Sequence, residues 1–312
     1  LRAMKIQNEL QKGTLFQNLE LLAKQVVEGF ISGIHKSPFH GFSAEFAEHK
    51  TYNTGESTKH IDWKLFGKTD KLYTKRYEEE TNLRCHMILD NSASMYYPQI
   101  KELGLGSLNK IGFGVLAIAA LMNVLKKQRD AVGLSIYSDA YNYYAPEKGS
   151  ERHFQMLLAK LNEVSQDSNP TKETATYTYL HQIAEKIKRR SLIFLFTDMF
   201  QTQKSNEELF DALRHLKHNK HEVVLFHLLD KEHELDFNFD NTPKRYIDIE
   251  TGEHLDLYAD NIKEAYNKGV TSYIDEIKLK CAQYRINYLG IDTKGDFTTI
   301  LNTFLTERNK FL

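Results

Sequence analysis

Leu15, Leu19, Leu22, Val26 and Phe30 recur at spacings of three and four, which predicts an amphipathic helix from about Asn8 to Phe30. Gly29 and Gly33 bracket its end. Residues 32–50 show no long period and read as an irregular segment, with turns around Ser37-Pro38 and Gly41. From Thr51 to Glu80 the pattern is short alternating strands, such as Leu72 to Tyr77, with a turn at Asn53-Thr54-Gly55.

Past Leu83 the character changes. Short apolar runs are predicted as strands at Cys85–Leu89, Ala131–Tyr137, Leu192–Phe196, Glu222–Leu229 and Ile286–Ile291, with Tyr141–Tyr144 as an edge strand. Between them stand helical patterns near 108–128, 151–164, 178–189, 206–217 and 261–281, and a terminal helix over 297–308. A hairpin is predicted over 244–257. Strands that alternate with helices imply crossover connections, hence an α/β fold with a mostly parallel sheet flanked by helices. Strands this apolar fit a sheet covered on both faces. The division expected is an N-terminal segment of residues 1–80, helical and β in character, followed by an α/β domain over 81–312.

Composition narrows the function classes. The chain has 312 residues, is 41% hydrophobic and 12% aromatic, and so can bury a real core. Its 41 Lys and Arg balance 42 Asp and Glu, which gives no overall field for nucleic acid or an anionic membrane. Two cysteines far apart, Cys85 and Cys281, exclude a disulfide framework and a cysteine zinc site. The most apolar stretch, Ile111–Leu125, is shorter than the ~18 residues expected of a spanning helix. The first residues are charged and do not read as a signal peptide, so the expected location is cytoplasmic.

Two of the apolar strands end in an acid, Asp90 and Asp198. Ligands of open α/β sheets bind beyond the carboxyl ends of the strands. Asp90 opens the sequence Asp90-Asn91-Ser92-Ala93-Ser94, in which a carboxylate is followed by hydroxyls at alternate positions. Such a loop offers the oxygen ligands that a hard cation such as Mg²⁺ prefers. Asp198 ends a strand of the same sheet, and Thr174 or Thr176 could reach the site from a third loop.

With its flanks, Ile88 to Met95 resembles the metal-ion-dependent adhesion site of von Willebrand factor A domains. The resemblance implies that Ser92 and Ser94 bind a divalent metal (Mg²⁺, or Mn²⁺ or Ca²⁺) directly, and that Asp90 and Asp198 bind it directly or through water. It implies Thr174 as the ligand of the third loop by spacing. Lys172-Glu173 stands where that family has Gly-Gly. Upstream, the blocks Val27–Pro38, Gly41–Glu48 and Tyr52–Trp63 resemble the bacterial domain-of-unknown-function 58 family, with Glu56 and Lys59 where its members usually carry Asp and Arg. This second resemblance implies a non-enzymatic, metal-dependent protein-binding module. Its implied partner is a MoxR-type AAA+ ATPase that presents an acidic side chain to the metal.

Other constellations carry less. His35, His40, His49 and His60 match no zinc spacing. Neither a G-x-S-x-G elbow nor a glycine-rich phosphate loop is present. The alternative from a different class is a metal-dependent hydrolase, phosphoesterase-like, that uses the same Asp90 and Asp198.

Overall fold

The structure is a computed structural model that describes residues 19–33, 48–51, 63–76, 83–100, 108–138, 141–166, 176–188, 190–199, 206–218, 220–247 and 254–309. Contacts divide these into two units. The larger draws on Leu1–Gly33 and Leu83–Leu312, the smaller on Ile34–Asn82. Helix α1 (Leu19–Gly33) therefore belongs to the larger unit, although the smaller one separates it from the rest in sequence.

The smaller unit contains strand β1 (Glu48–Thr51), helix α2 (Trp63–Thr69) and strand β2 (Tyr73–Arg76). β1 and β2 pair antiparallel, with Glu48 opposite Arg76 and Thr51 opposite Tyr73. The sequence pattern predicts irregular chain through residue 50 and strands beyond it; β1 starts earlier, and a short helix stands at 63–69. In that helix Trp63 meets Phe66 edge-on, at 6.2 Å between ring centroids. The Thr69 hydroxyl donates to the Leu65 carbonyl at 2.9 Å and closes the last turn.

The larger unit continues with β3 (Arg84–Asp90), α3 (Lys110–Lys127), β4 (Ala131–Tyr137), β5 (Tyr141–Lys148), α4 (Glu151–Gln166), α5 (Thr176–Lys186), β6 (Leu192–Thr197), α6 (Asn206–His218) and β7 (Glu222–Leu229). After a π-helical turn, Lys231–Leu235, come the hairpin strands β8 (Lys244–Ile247) and β9 (His254–Leu257), then α7 (Ala259–Tyr284), β10 (Asn287–Asp292) and α8 (Thr298–Asn309). Most predicted elements are present within a residue or two of their expected ends.

Six strands form one sheet in the order β10-β7-β6-β3-β4-β5. All neighbours are parallel except β4 and β5, which pair antiparallel. In this doubly wound arrangement the chain runs outward from β3 through β4 to β5, then returns to β6 on the other side of β3. The reversal of strand order makes β3/β6 the topological switch point.

Each face of the sheet is covered. On one, α3 and α4 bring Phe113, Leu116 and Leu157 into one core with Met87, Leu89, Phe194 and Phe226, and α1 packs on those two helices with Leu22 and Val27 in the same core. On the other, α5, α6 and α7 bring Leu180, Ile183, Leu213 and Ile277 onto Ile88, Ile193 and Leu225. Burial on both faces is why these strands read as continuous apolar runs rather than as alternation. Truncating one of the aromatics, Phe226→Ala for instance, would cost about 3–5 kcal/mol.

Helix α3 lies against the sheet and is buried along nearly its whole length. Gly114 permits the approach, because a Cβ there would stand 3.1 Å from Leu89 Cδ1. The Asn109 side chain caps the helix by accepting the Gly112 N–H at 2.9 Å. Lys126 and Lys127 in the last turn suit the negative end of the helix dipole. Away from the switch point, His86 on β3 links Glu147 Oε1 and Ser135 Oγ, each at 2.7 Å. Gly133 beside it leaves room for the imidazole, since a Cβ at that position would strike the His86 ring. Among the described residues no helix is long and apolar enough to cross a membrane.

Candidate metal centre

Asp90 is the last residue of β3, and Thr197 the last of the adjacent β6, with Asp198 following it. Both acids therefore project at the switch point and both are buried, 3% and 1% exposed. Asn91 stays bonded to the end of β4, its N–H donating to Tyr137 O at 2.7 Å. Beyond it the chain turns sharply. The Ser92 N–H donates to Asp90 Oδ1 at 2.9 Å, which turns the loop back over the carboxylate. Ala93–Tyr96 forms one turn of 3-10 helix. That turn sets the Ser92 and Ser94 hydroxyls 3.1 Å apart. Tyr96 braces the loop from behind by donating to Asn91 Oδ1 at 2.9 Å.

Asp90 Oδ2 accepts the Thr197 hydroxyl at 2.6 Å. Thr197 Oγ1 in turn accepts the Met199 N–H at 3.1 Å, which orients that hydroxyl toward Asp90. Among the described residues no basic side chain pairs with Asp90. Burial, and then the charge of Asp198, push its pKa up to about 6. The Tyr137 hydroxyl is fully buried beside the same carboxylate and has no hydrogen-bond partner among the described residues. Burial and the Asp90 charge hold its pKa well above the ordinary tyrosine value.

Asp198 is held differently. Its Oδ2 accepts the Lys110 ammonium at 2.7 Å, and the same ammonium reaches Glu234 Oε1 at 2.5 Å. Lys110 is 0% exposed. Burial would lower its pKa, but the charges of Asp198 and Glu234 outweigh that and raise it, so the side chain stays protonated. Burial, opposed by the Lys110 ammonium, leaves the Glu234 pKa raised. Behind Asp198, its backbone carbonyl accepts His227 Nε2 at 2.7 Å, and Tyr288 lies 2.7 Å from His227 Nδ1. Burial depresses the His227 pKa to about 4, so the imidazole is neutral and Tyr288 donates to it.

The structure thus brings together Asp90, Ser92, Ser94 and Asp198 of the set expected from sequence. Thr174 lies outside the described residues. Thr176 opens α5, and its side chain is not described either. The upstream histidines His35, His40 and His60 also fall outside. Sequence reasoning missed Lys110, Glu234, Thr197 and Tyr137. A lone lysine directly ahead of the apolar run Ile111–Leu125 was a readable signal, because a cation is disfavoured at a helix N-terminus unless something answers it. Glu234 had none, as it sits in the ordinary charged run Asp230–Glu234.

Two carboxylates and two hydroxyls converging at a sheet switch point make an oxygen-only donor set that fits a hard divalent cation. Asp90 accepts only neutral donors there; burial, and then the Asp198 charge, disfavour its ionised form, and a bound cation would oppose both. Asp198 is shared with Lys110, so a metal would draw on it in competition with the ammonium.

The strand order, with an acid and hydroxyl loop at its reversal, defines a doubly wound α/β protein with a mostly parallel sheet. The model of the family described as "Protein of unknown function DUF58" matches residues 48–273, and the chain belongs to that family. The chain is 23% identical over 150 residues to Uncharacterized protein Rv1480 of Mycobacterium tuberculosis (strain ATCC 25618 / H37Rv), a match that covers 48% of this chain and 45% of that one. It thus spans about half the length of the curated relatives it matches. Among solved structures, the conserved hypothetical protein BatB from Bacteroides thetaiotaomicron is similar at 13% identity and a TM-score of 0.45, over 73% of this chain and 99% of that one. The SpRpn10 VWA domain is similar at 12% identity and a TM-score of 0.36, over 71% and 94%.

Proposed function

We propose that the protein is a non-enzymatic interaction module in which Asp90, Ser92 and Ser94, with Asp198, hold a divalent cation and present it to a partner protein. Mg²⁺, Mn²⁺ and Ca²⁺ all suit the site, because every donor is an oxygen. A bound cation would supply an open coordination position for an acidic side chain of the partner. The residues of this chain do the rest. The Ser92 N–H and the Thr197 hydroxyl orient the Asp90 carboxylate, and the turn at 93–96 fixes the two serine hydroxyls beside it. Thr174 is the proposed ligand of the third loop. The observation that carries this reading is the Asp90 carboxylate at the switch point, beside paired serine hydroxyls and with no cationic side chain of its own among the described residues.

The proposed partner class is a MoxR-type AAA+ ATPase, which follows from the family resemblance of the sequence, and the proposed location is cytoplasmic. The test is calorimetric titration of the chelator-treated chain with MgCl₂, beside Asp90→Ala, followed by binding to such an ATPase with and without Mg²⁺. Saturable Mg²⁺ binding that Asp90→Ala abolishes supports the centre. Partner binding that is unchanged in Asp90→Ala and indifferent to Mg²⁺ would show the assignment to be wrong.

A further inference from the structure

The turn after β7 carries a second group of metal-competent side chains that the Asp90 centre does not use. Asp230 caps the turn Lys231–Leu235, its Oδ1 accepting the His233 N–H at 3.2 Å. One ligand atom from each of Asp230, Glu232 and His233 lies within 4.8 Å of the other two. Asp230 is 0% exposed, and its Oδ2 has no hydrogen-bond partner among the described residues. The same holds for His233 Nδ1. These two atoms face each other at 3.2 Å, yet they are not aligned as a hydrogen bond. With the ring proton on Nε2, they are two lone pairs converging on one point. Buried polar atoms are ordinarily satisfied, and a convergent pair left otherwise calls for a cation between them.

The surroundings fix this geometry. The His233 ring is held between Tyr97, edge-on at 6.0 Å, and Phe239, tilted at 5.0 Å, so the direction of Nδ1 is set by packing. Lys294 already answers part of the charge, its Nζ 2.5 Å from Glu232 Oε2 and 3.4 Å from Asp230 Oδ1. That lysine is 47% exposed and can swing into solvent, whereas Asp230 cannot leave.

We propose that Asp230, Glu232 and His233 form a binding site for a divalent transition metal of the zinc class, distinct from the Asp90 centre. One imidazole nitrogen with two carboxylates suits Zn²⁺, and Co²⁺ in its place, far better than Mg²⁺, which favours an all-oxygen shell. Three protein ligands leave a fourth position for water or for a donor from a partner. Binding of the ion displaces Lys294 from Glu232, so the lysine sets the affinity threshold.

The test uses the full chain, freed of metal with chelator, and titrated with ZnCl₂ in saturating MgCl₂. The expected result is saturable Zn²⁺ binding that weakens about tenfold or more in His233→Ala and in Glu232→Gln, is unchanged in Asp90→Ala, and tightens in Lys294→Met. Co²⁺ in place of Zn²⁺ should give a visible absorption band that His233→Ala removes. Glu232 is half exposed, so its variant keeps the fold, which far-UV circular dichroism checks. The proposal is overturned if the wild type shows no saturable Zn²⁺ binding, or if His233→Ala and Glu232→Gln bind as tightly as wild type. It is equally overturned if His181→Ala, in the half-buried His181–His215 pair, removes the binding instead. Loss of Mg²⁺ binding in Asp90→Ala bears only on the other centre.

Discussion

Replacing Lys110 by methionine isolates the charge that sits inside the candidate centre. Methionine keeps most of the stem that packs at the start of α3 and deletes the ammonium shared by Asp198 and Glu234. The Lys110 and Asp198 side chains are each 1% exposed, so water does not screen the pair. At 2.7 Å and an effective dielectric of about 20, one such contact is worth roughly 6 kcal/mol. Desolvating the ammonium takes back several kcal/mol, which leaves about 3–5 kcal/mol lost when the cation goes and the acids stay buried. The sign with pH follows. In the variant the acids are pushed to higher pKa than in the unfolded chain, so protonation relieves them. The deficit is small near pH 5 and grows as pH rises toward 8. The assay is urea unfolding in chelator, read by far-UV circular dichroism because Trp63 lies in the smaller unit. Added MgCl₂ should then stabilise the variant by about 2.7 kcal/mol at a hundred times its Kd, and the wild type by less at the same concentration. A deficit below about 1 kcal/mol at pH 7.5, or one that does not change with pH, would refute the reasoning.

Four further outcomes are expected. Asp90 must be ionised to hold a cation, and its pKa is raised to about 6, so Mg²⁺ affinity measured by calorimetry should be level above pH 7 and fall as pH drops through 6, by up to about tenfold per unit. Raised in the fold, the same group adds stability below its unfolded value that is lost as pH climbs through 6, so Asp90→Asn should unfold at higher urea than wild type at pH 7.5 in chelator. Thr197→Val removes both the 2.6 Å donor to Asp90 and the acceptor of Met199 N–H, and should cost about 1–3 kcal/mol in denaturant unfolding while moving the loss of Mg²⁺ binding to higher pH. Gly133→Ala would drive a methyl into the His86 ring, which Glu147 and Ser135 pin from both sides, and should lower stability by about 1–3 kcal/mol without altering Mg²⁺ affinity.

Much of the sheet was legible because burial on both faces writes itself as runs such as Leu192–Phe196, and helices between them dictate crossovers. Asp90 and Asp198 were legible for the same reason, as acids that end apolar strands. Their adjacency follows from the β3/β6 pairing, which no local pattern states. The link from Lys110 to Asp198 and Glu234 spans 88 and 124 residues, and only the folded sheet creates it. The smaller unit was read least well: the seven-residue helix Trp63–Thr69 is too short for a periodic pattern to separate it from alternating strands.

Lys110 brings a formal charge to the switch point on a side chain of four methylenes, rooted in the first turn of a helix that the core holds still. Charge and backbone are thereby locked together, since the buried ammonium is held by Asp198 and Glu234 at once. A cation entering the site would meet a standing positive neighbour beside Asp198, which leaves the Asp90 side as the first to engage it.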